Sequence, residues 1–269
     1  MNLLKSILNS LELFFGLYSF LYLSIYSILL YLSVKATIKH FREKKELNEK
    51  VLTLTDESTG VSIIAPAFNE EQTIIKSVKS FFSQIYSKYE VVIINDGSTD
   101  NTLGLLIDEF DLVKVDFYYI EKIPTQPVRG HYKSTNPLYS KLLVVDKENG
   151  KSKADASNAG INSCKYSIFI CTDVDCILRA DTIAMMVKPF VISKKRVIAS
   201  GATIRMANQS DVKDGNLVQH HYPDNFYAGF QELEYLRSFL YGRYAWNLIN
   251  AMPLISGAFG LFKKDAVVK

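Results

Sequence analysis

Two different apolar rhythms divide the chain. From Leu13 to Val34 (LFFGLYSFLYLSIYSILLYLSV) 22 consecutive residues carry no charge. As an α-helix this run measures about 33 Å, enough to cross a hydrocarbon core of about 30 Å. A secretory signal has a shorter apolar core with basic residues ahead of it. Here the basic residues come after, at Lys35, Lys39, Arg42, Lys44, Lys45 and Lys50. The positive-inside bias keeps that flank and all that follows in the cytoplasm. The pattern predicts a transmembrane helix within residues 1–36 and a charged, then polar, juxtamembrane linker over 37–60.

From Val61 the apolar runs shorten and alternate with amphipathic stretches. Val61 to Ala65 has the character of a buried strand, and Asn69, with Gln72 three residues on, suits a helix start. Ile74, Ile75, Val78, Phe81, Phe82 and Ile85 then recur at helical spacing. Tyr89 to Ile94 predicts a second strand, Ser98 or Asp100 the cap of another helix, and Val113 to Ile120 a third strand. Residues 121–140 hold three prolines and predict a loop. Strands at Leu142–Val145, Tyr166–Cys171 and Val197–Ala202 alternate with helices at Lys153–Ser163 and Asp181–Ile192. Such alternation implies an α/β domain over 61–269, with a largely parallel sheet covered on both faces. Over 230–250, Leu233, Leu236, Phe239 and Leu240 form an apolar helix face, better suited to packing under the sheet or against a further segment than to lipid.

Composition narrows the picture little. The formal net charge is +3, and the lysines form no basic stripe interleaved with aromatics, which argues against nucleic acid as a partner. Cys164, Cys171 and Cys176 are odd in number and lack C-x-x-C spacing, so they read as buried thiols in a reducing compartment and not as a disulfide framework or a zinc site.

In open sheets of this kind ligands gather beyond the carboxyl ends of the strands. The polar clusters Pro66–Glu70, Asp96–Gly97 and Thr172–Asp175 each follow a predicted strand. In FICTDVDCIL, Asp173 and Asp175 have i, i+2 spacing, which on a strand aims two carboxylates the same way and lets them share a cation. A D-x-D taken alone is equally a pair of solvated turn carboxylates. Asp96-Gly97 is ordinary turn punctuation as well as a candidate. Lys153 opens a helix, where a cation opposes the dipole unless an anion shares the site; a plain surface lysine would also account for it.

Together the stretches APAFNEEQTIIKSV, VVIINDGSTDNT, KADASNAGI, TDVD, QELEYLRSF and ISGAFGLFKKD resemble, in order and spacing, those of the family 2 glycosyltransferases. The resemblance is to their membrane-bound bacterial members, similar to hyaluronan, chitin and cellulose synthases, and it covers residues 61–265. It implies a GT-A fold and inverting transfer of a sugar from a nucleotide-sugar, a UDP-sugar, to a growing polysaccharide at the cytoplasmic face of the cell membrane. It further implies that Ala65, Pro66, Phe68 and Glu70 flank the nucleoside and that Asp96 meets the base. Lys153 and Asp155 would lie beside the nucleotide, while Asp173 and Asp175 hold the ribose and a Mg²⁺ or Mn²⁺ ion. Ser256, Gly257 and Ala258 would face the acceptor. Transfer to a lipid-linked phosphate carrier and a non-catalytic nucleotide-sugar module are the alternative readings.

In that family a later segment supplies the catalytic base and is followed by a Q-x-x-R-W segment and further membrane helices. The sequence reaches Lys269 before any match to them, and Asp265 lies too close to Gly260 to stand for the base. The catalytic residue is therefore unassigned, and the 269 residues are expected to be incomplete at the C-terminus and inactive alone.

Overall fold

A computed structural model of the protein describes residues 2–54, 59–208, 210–213, 216–252 and 254–268. It forms two compact units. One gathers Met1–Leu47, Thr203–Arg205 and Asp224–Leu254; the other gathers Asn48–Ala202, Met206–Pro223 and Ile255–Lys269.

The second unit is built on an eight-stranded sheet. Its strands are β1 (Val61–Ala67), β2 (Tyr89–Asp96), β3 (Leu112–Val115), β4 (Val128–Ser134), β5 (Leu142–Lys147), β6 (Ile168–Thr172), β7 (Ala199–Gly201) and, after the hairpin of β8 (Asp211–Lys213) and β9 (Asn216–Gln219), β10 (Phe259–Lys263). The order across the sheet is β3-β4-β5-β2-β1-β6-β10-β7. The four central strands β5, β2, β1 and β6 run parallel, while β4 and β10 run against their neighbours. Helices α2 (Ile74–Phe82), α3 (Thr102–Glu109), α4 (Lys153–Ser163) and α5 (Thr182–Ile192) connect the strands.

Continuous apolar runs explain the centre. β1, β2 and β5 are buried nearly throughout, as strands covered on both faces must be. Helix α4 seats Ala156, Ala159 and Ile161 against Ile64, Val92, Ile94 and Val145. Each fully buried Val or Ile side chain here contributes about 1.5–3 kcal/mol. Gly160 lets α4 approach, since a Cβ there would meet Ile64 Cγ2 at 2.4 Å and Ile94 Cδ1 at 2.8 Å. Helix α2 buries Ile74, Val78 and Phe81, whereas Ile85, past its end, is exposed.

The predicted loop over 121–140 is instead a strand and a short 3₁₀ turn, β4 and Pro137–Tyr139. Its prolines flank β4 and leave its backbone donors free to pair with β3 and β5. The predicted strand Val113–Ile120 is shorter, because β3 ends at Val115. Asn69 does not cap α2: Thr73 precedes that helix, and Asn69 has φ of 56°.

α1 (Asn2–Leu54), whose residues up to Leu47 belong to the first unit, continues from the apolar run into the predicted linker as far as Leu54. Its portion Leu4–Lys39 is long and apolar enough to cross a membrane, with its most apolar stretch unburied. Further along, α6 (Phe226–Leu236) is capped by Asn225, whose Oδ1 accepts from Tyr227 N. A π-helical turn over Arg237–Arg243 leads into α7 (Tyr244–Leu248). That wide turn is fastened to α1. Ser33 Oγ donates to Leu240 O at 2.5 Å, and Tyr241 Oη donates to Tyr26 O at 2.5 Å. The apolar helix face expected to pack under the sheet or against a further segment thus belongs to a segment bonded to α1. Phe239 is buried, while Leu233 and Leu240 are exposed.

Candidate active site

The strand order reverses at β1, whose neighbours β2 and β6 lie on opposite sides, and such switch points open a crevice at the carboxyl edge. A cleft of about 590 Å³ lies there, lined by Pro66, Ala67, Phe68, Glu70, Asp96, Asn149, Lys151, Ser152, Lys153 and Ala156.

Cross-bonding of two loops forms one wall. Asn69 N donates to Ser98 Oγ at 3.0 Å, and Asn69 Oδ1 accepts from Thr99 N at 2.8 Å. Glu70 N donates to Thr102 Oγ1 at 2.8 Å. Asn is among the few side chains that tolerate the left-handed backbone this turn requires. The FNEE and GSTDNT stretches are therefore one structural piece.

Behind the cleft, side-chain alternation along β2 separates two polar clusters. On one face Asn95 pairs with Asp146 at 2.7 Å, and Asp146 takes Arg129 Nη2 at 2.6 Å. On the other, fully buried Lys147 Nζ reaches Asp96 Oδ1 at 2.7 Å and Asp155 Oδ2 at 2.5 Å. Gly150 N also donates to Asp96 Oδ1 at 3.1 Å, leaving Oδ2 as the oxygen not engaged there. Gly97 turns the chain with φ of +67°, and a Cβ on it would strike Asn149 N at 2.7 Å.

At the other wall β6 ends at Thr172. Asp173 and Asp175 therefore lie in the turn beyond the strand, and strand alternation does not align them as expected. They are close nonetheless: one ligand atom each from Asp173, Asp175 and Cys176 lie within 4.8 Å of one another. Two carboxylates suit a hard divalent ion such as Mg²⁺ or Mn²⁺. The Cys176 thiol suits it poorly, because burial pushes its pKa up and keeps it protonated.

Antiparallel β10 starts where β6 ends, with Phe259 opposite Thr172. That register carries Ser256–Ala258 to the same edge, where Ala258 O accepts from Asp173 N at 3.1 Å. Lys153, the first residue of α4 after the Ser152 cap, ties these parts together. Its Nζ is paired with Asp173 Oδ1 and donates to Gly257 O at 2.9 Å.

Of the residues anticipated from sequence, Pro66, Phe68, Glu70, Asp96 and Lys153 line the cleft, with Asp173 joined to its rim through Lys153. Ala65 does not line it; it is fully buried in β1 opposite Ile93. Asp155 is turned onto Lys147 and accepts from Gln126 N at 3.1 Å. Lys147, Asp146, Asn149 and Lys151 were missed. The available signal was the charged pair Asp146-Lys147 closing an apolar run, the same grammar that singled out TDVD.

Comparison with known proteins bears on the whole arrangement. The profile described as "Glycosyl transferase family 2" matches residues 62–118 and 125–264. A poly-beta-1,6-N-acetyl-D-glucosamine synthase of Staphylococcus aureus (strain COL) is 28% identical over 222 residues, 82% of this chain and 44% of the relative. The synthase of the same name from Staphylococcus epidermidis is 26% identical over 229 residues, 84% of this chain and 45% of its own. The chain thus spans less than half the length of these curated relatives. Among solved structures, a mannosyltransferase from Pyrobaculum calidifontis in complex with GDP-Man and Mn²⁺ is similar at a TM-score of 0.48 and 18% identity, covering 89% of this chain and 57% of that one.

Proposed function

The chain belongs to glycosyl transferase family 2 and has the GT-A fold; on that premise we propose that the carboxyl-edge cleft binds a UDP-sugar for transfer to a growing polysaccharide. One observation carries the reading. Lys153, at the mouth of the cleft, joins Asp173 to Gly257, so the nucleotide wall, the paired carboxylates and the Ser256–Ala258 loop meet at one ammonium group.

In this reading Pro66, Phe68 and Glu70 flank the nucleoside, and Asp96 offers Oδ2 to the base while Lys147 fixes its other oxygen. Asp173 and Asp175 would hold a Mg²⁺ or Mn²⁺ ion, which supplies charge neutralisation to the departing diphosphate. Lys153 adds a positive charge on the same oxygens. The bond from the anomeric carbon to the diphosphate breaks as a new bond forms to an acceptor hydroxyl from the opposite face. The configuration inverts, and the hydroxyl proton passes to a base not assigned in these residues. Ser256–Ala258 borders the acceptor side. The likeness to the staphylococcal synthases supports N-acetyl-D-glucosamine as the sugar. Helix α1 would anchor this machinery in the cell membrane, with the sheet domain on its cytoplasmic side.

Calorimetry of UDP binding by the full chain, with and without Mn²⁺, tests the donor site. The expected result is tighter binding with Mn²⁺ in the wild type and the loss of that gain in Asp175→Ala. Binding indifferent to both the ion and the substitution would remove the metal role; no binding at all would remove the site.

A further inference from the structure

A second cavity of about 590 Å³ lies at the amino edge of the sheet, where β2 and β5 begin and α4 ends. Its lining carries five lysines, Lys122, Lys133, Lys141, Lys165 and Lys264, against one carboxylate, Glu90. They come from the crossing ahead of β4, from β4 itself, from the residue before β5, from the loop after α4 and from the residue after β10. No local run in the sequence joins them, and only the fold brings them to one hollow.

The charge of this lining is not balanced from within. Glu90 Oε1 is taken up by Ser62 Oγ and Lys165 N, each donating at 2.6 Å. Lys264 Nζ donates to Cys164 O at 3.3 Å, at the end of α4, where helix carbonyls attract a cation. Lys141 Nζ donates to Ser87 O at 2.8 Å, and burial lowers its pKa. Lys133 Nζ and Lys165 Nζ lie over the rings of Phe117 and Tyr166, 5.3 and 5.4 Å from the centroids. Among the described residues none of the five ammonium groups is paired with a carboxylate, and those of Lys122, Lys133 and Lys165 hold no oxygen. Charges of one sign in a hollow with apolar walls focus the field and gather counter-ions there.

We infer that this amino-edge cavity is a second binding site, for a small oligophosphate anion, distinct from the carboxyl-edge cleft. Each lysine offers three N–H donors on a compact charge, which suits phosphate oxygens. A singly charged ion would leave most of the lysine charge unmet, so several linked phosphates fit better. The volume lies within the range of small-molecule sites, roughly 300–1,000 Å³. Helix α4 separates the two sites: Lys153, its first residue, lines the carboxyl-edge cleft, and Ser163, its last, lines this cavity. They stand about 15 Å apart along the helix axis at 1.5 Å per residue. The inference does not depend on what the carboxyl-edge cleft binds.

Equilibrium dialysis of the full chain in detergent against radiolabelled inorganic tripolyphosphate, without divalent ions, measures the site. The wild type should show saturable binding, weakened about tenfold or more in Lys133→Gln/Lys165→Gln. Both side chains are exposed, so the denaturant midpoint should stay in place; if that double variant does not fold, Lys133→Gln alone is measured and should still bind more weakly than the wild type. Lys194→Gln/Lys195→Gln, which removes two exposed charges outside the cavity, should bind as the wild type does, and so should Lys153→Gln. Absence of saturable binding in the wild type overturns the inference. So does equal weakening by the two double variants, which would reduce the attraction to net charge. Weakening confined to Lys153→Gln would assign the anion to the carboxyl-edge cleft and likewise overturn it.

Discussion

Two ionic clusters at one edge of the sheet differ in a way that separates support from chemistry. Asp96–Lys147–Asp155 lies behind the cleft with the lysine fully buried. Lys153–Asp173 stands at the rim, its side chains 42% and 39% exposed. The residue types are alike and the solvation is not. In the buried cluster each charge needs the others, because any one left alone would be stranded away from water. At the rim, water can replace either partner, so the pair can open, as the proposed binding of a diphosphate and a cation requires. The comparison teaches that a charged motif becomes a ligand site where its charges can change partners.

Removing the centre of the buried cluster has the largest expected effect. Lys147→Met should lose about 3–5 kcal/mol of stability by leaving two carboxylates uncompensated, read as a lower denaturant midpoint. The triple variant with Asp96→Asn and Asp155→Asn should regain part of it. If Lys147→Met unfolded like the wild type, the cluster would not be support.

Burial governs a second group in the same way. His131, 5% exposed and stacked on Phe117 at 4.6 Å, has its pKa lowered by burial to about 4. Its folded value lies below its unfolded value, so the unfolded chain binds the extra proton first. Stability is complete above about pH 6.5 and is lost as pH falls toward 4, by roughly 2–3 kcal/mol. His131→Phe should flatten denaturation midpoints measured across that window. An unchanged slope in the variant would place the acid sensitivity elsewhere.

The rim should respond in binding and not in folding. Asp173→Asn is expected to weaken UDP binding in the presence of Mn²⁺ by about 10- to 100-fold, or about 1.4–2.8 kcal/mol, while the denaturant midpoint moves by less than about 1 kcal/mol. A stability loss as large as that of Lys147→Met would erase the distinction between the clusters. Smallest is Lys153→Gln, with a weakening of about tenfold or less that shrinks as salt rises. Equal weakening at low and high salt would argue that its role is not electrostatic.

How much of this was legible depended on range. The second half of the Asp96–Lys147 pair was hidden because 51 residues separate the partners, and only the β2–β5 register sets Asp96 opposite Lys147. Asp155 looked like a ligand from its place in KADASNAGI, yet its side chain turns to a lysine that no local pattern connects with it. The strand rule invoked for Asp173 and Asp175 does not apply beyond Thr172, although the turn still keeps the two carboxylates close.

The sequence by itself determined the apolar helix, the central parallel strands and the α4 boundaries, because periodicity, capping and burial of consecutive aliphatic residues are local properties. It also carried the family, since several motifs in one order are a property of the chain. Tertiary structure alone decided that β4 fills a proline-flanked stretch, that antiparallel β10 brings Ser256–Ala258 beside Asp173, and that the π turn fastens to α1 at Tyr26 and Ser33. Each depends on backbone or side-chain groups finding partners far along the chain, and the free energy of such pairing belongs to the fold and to no single segment.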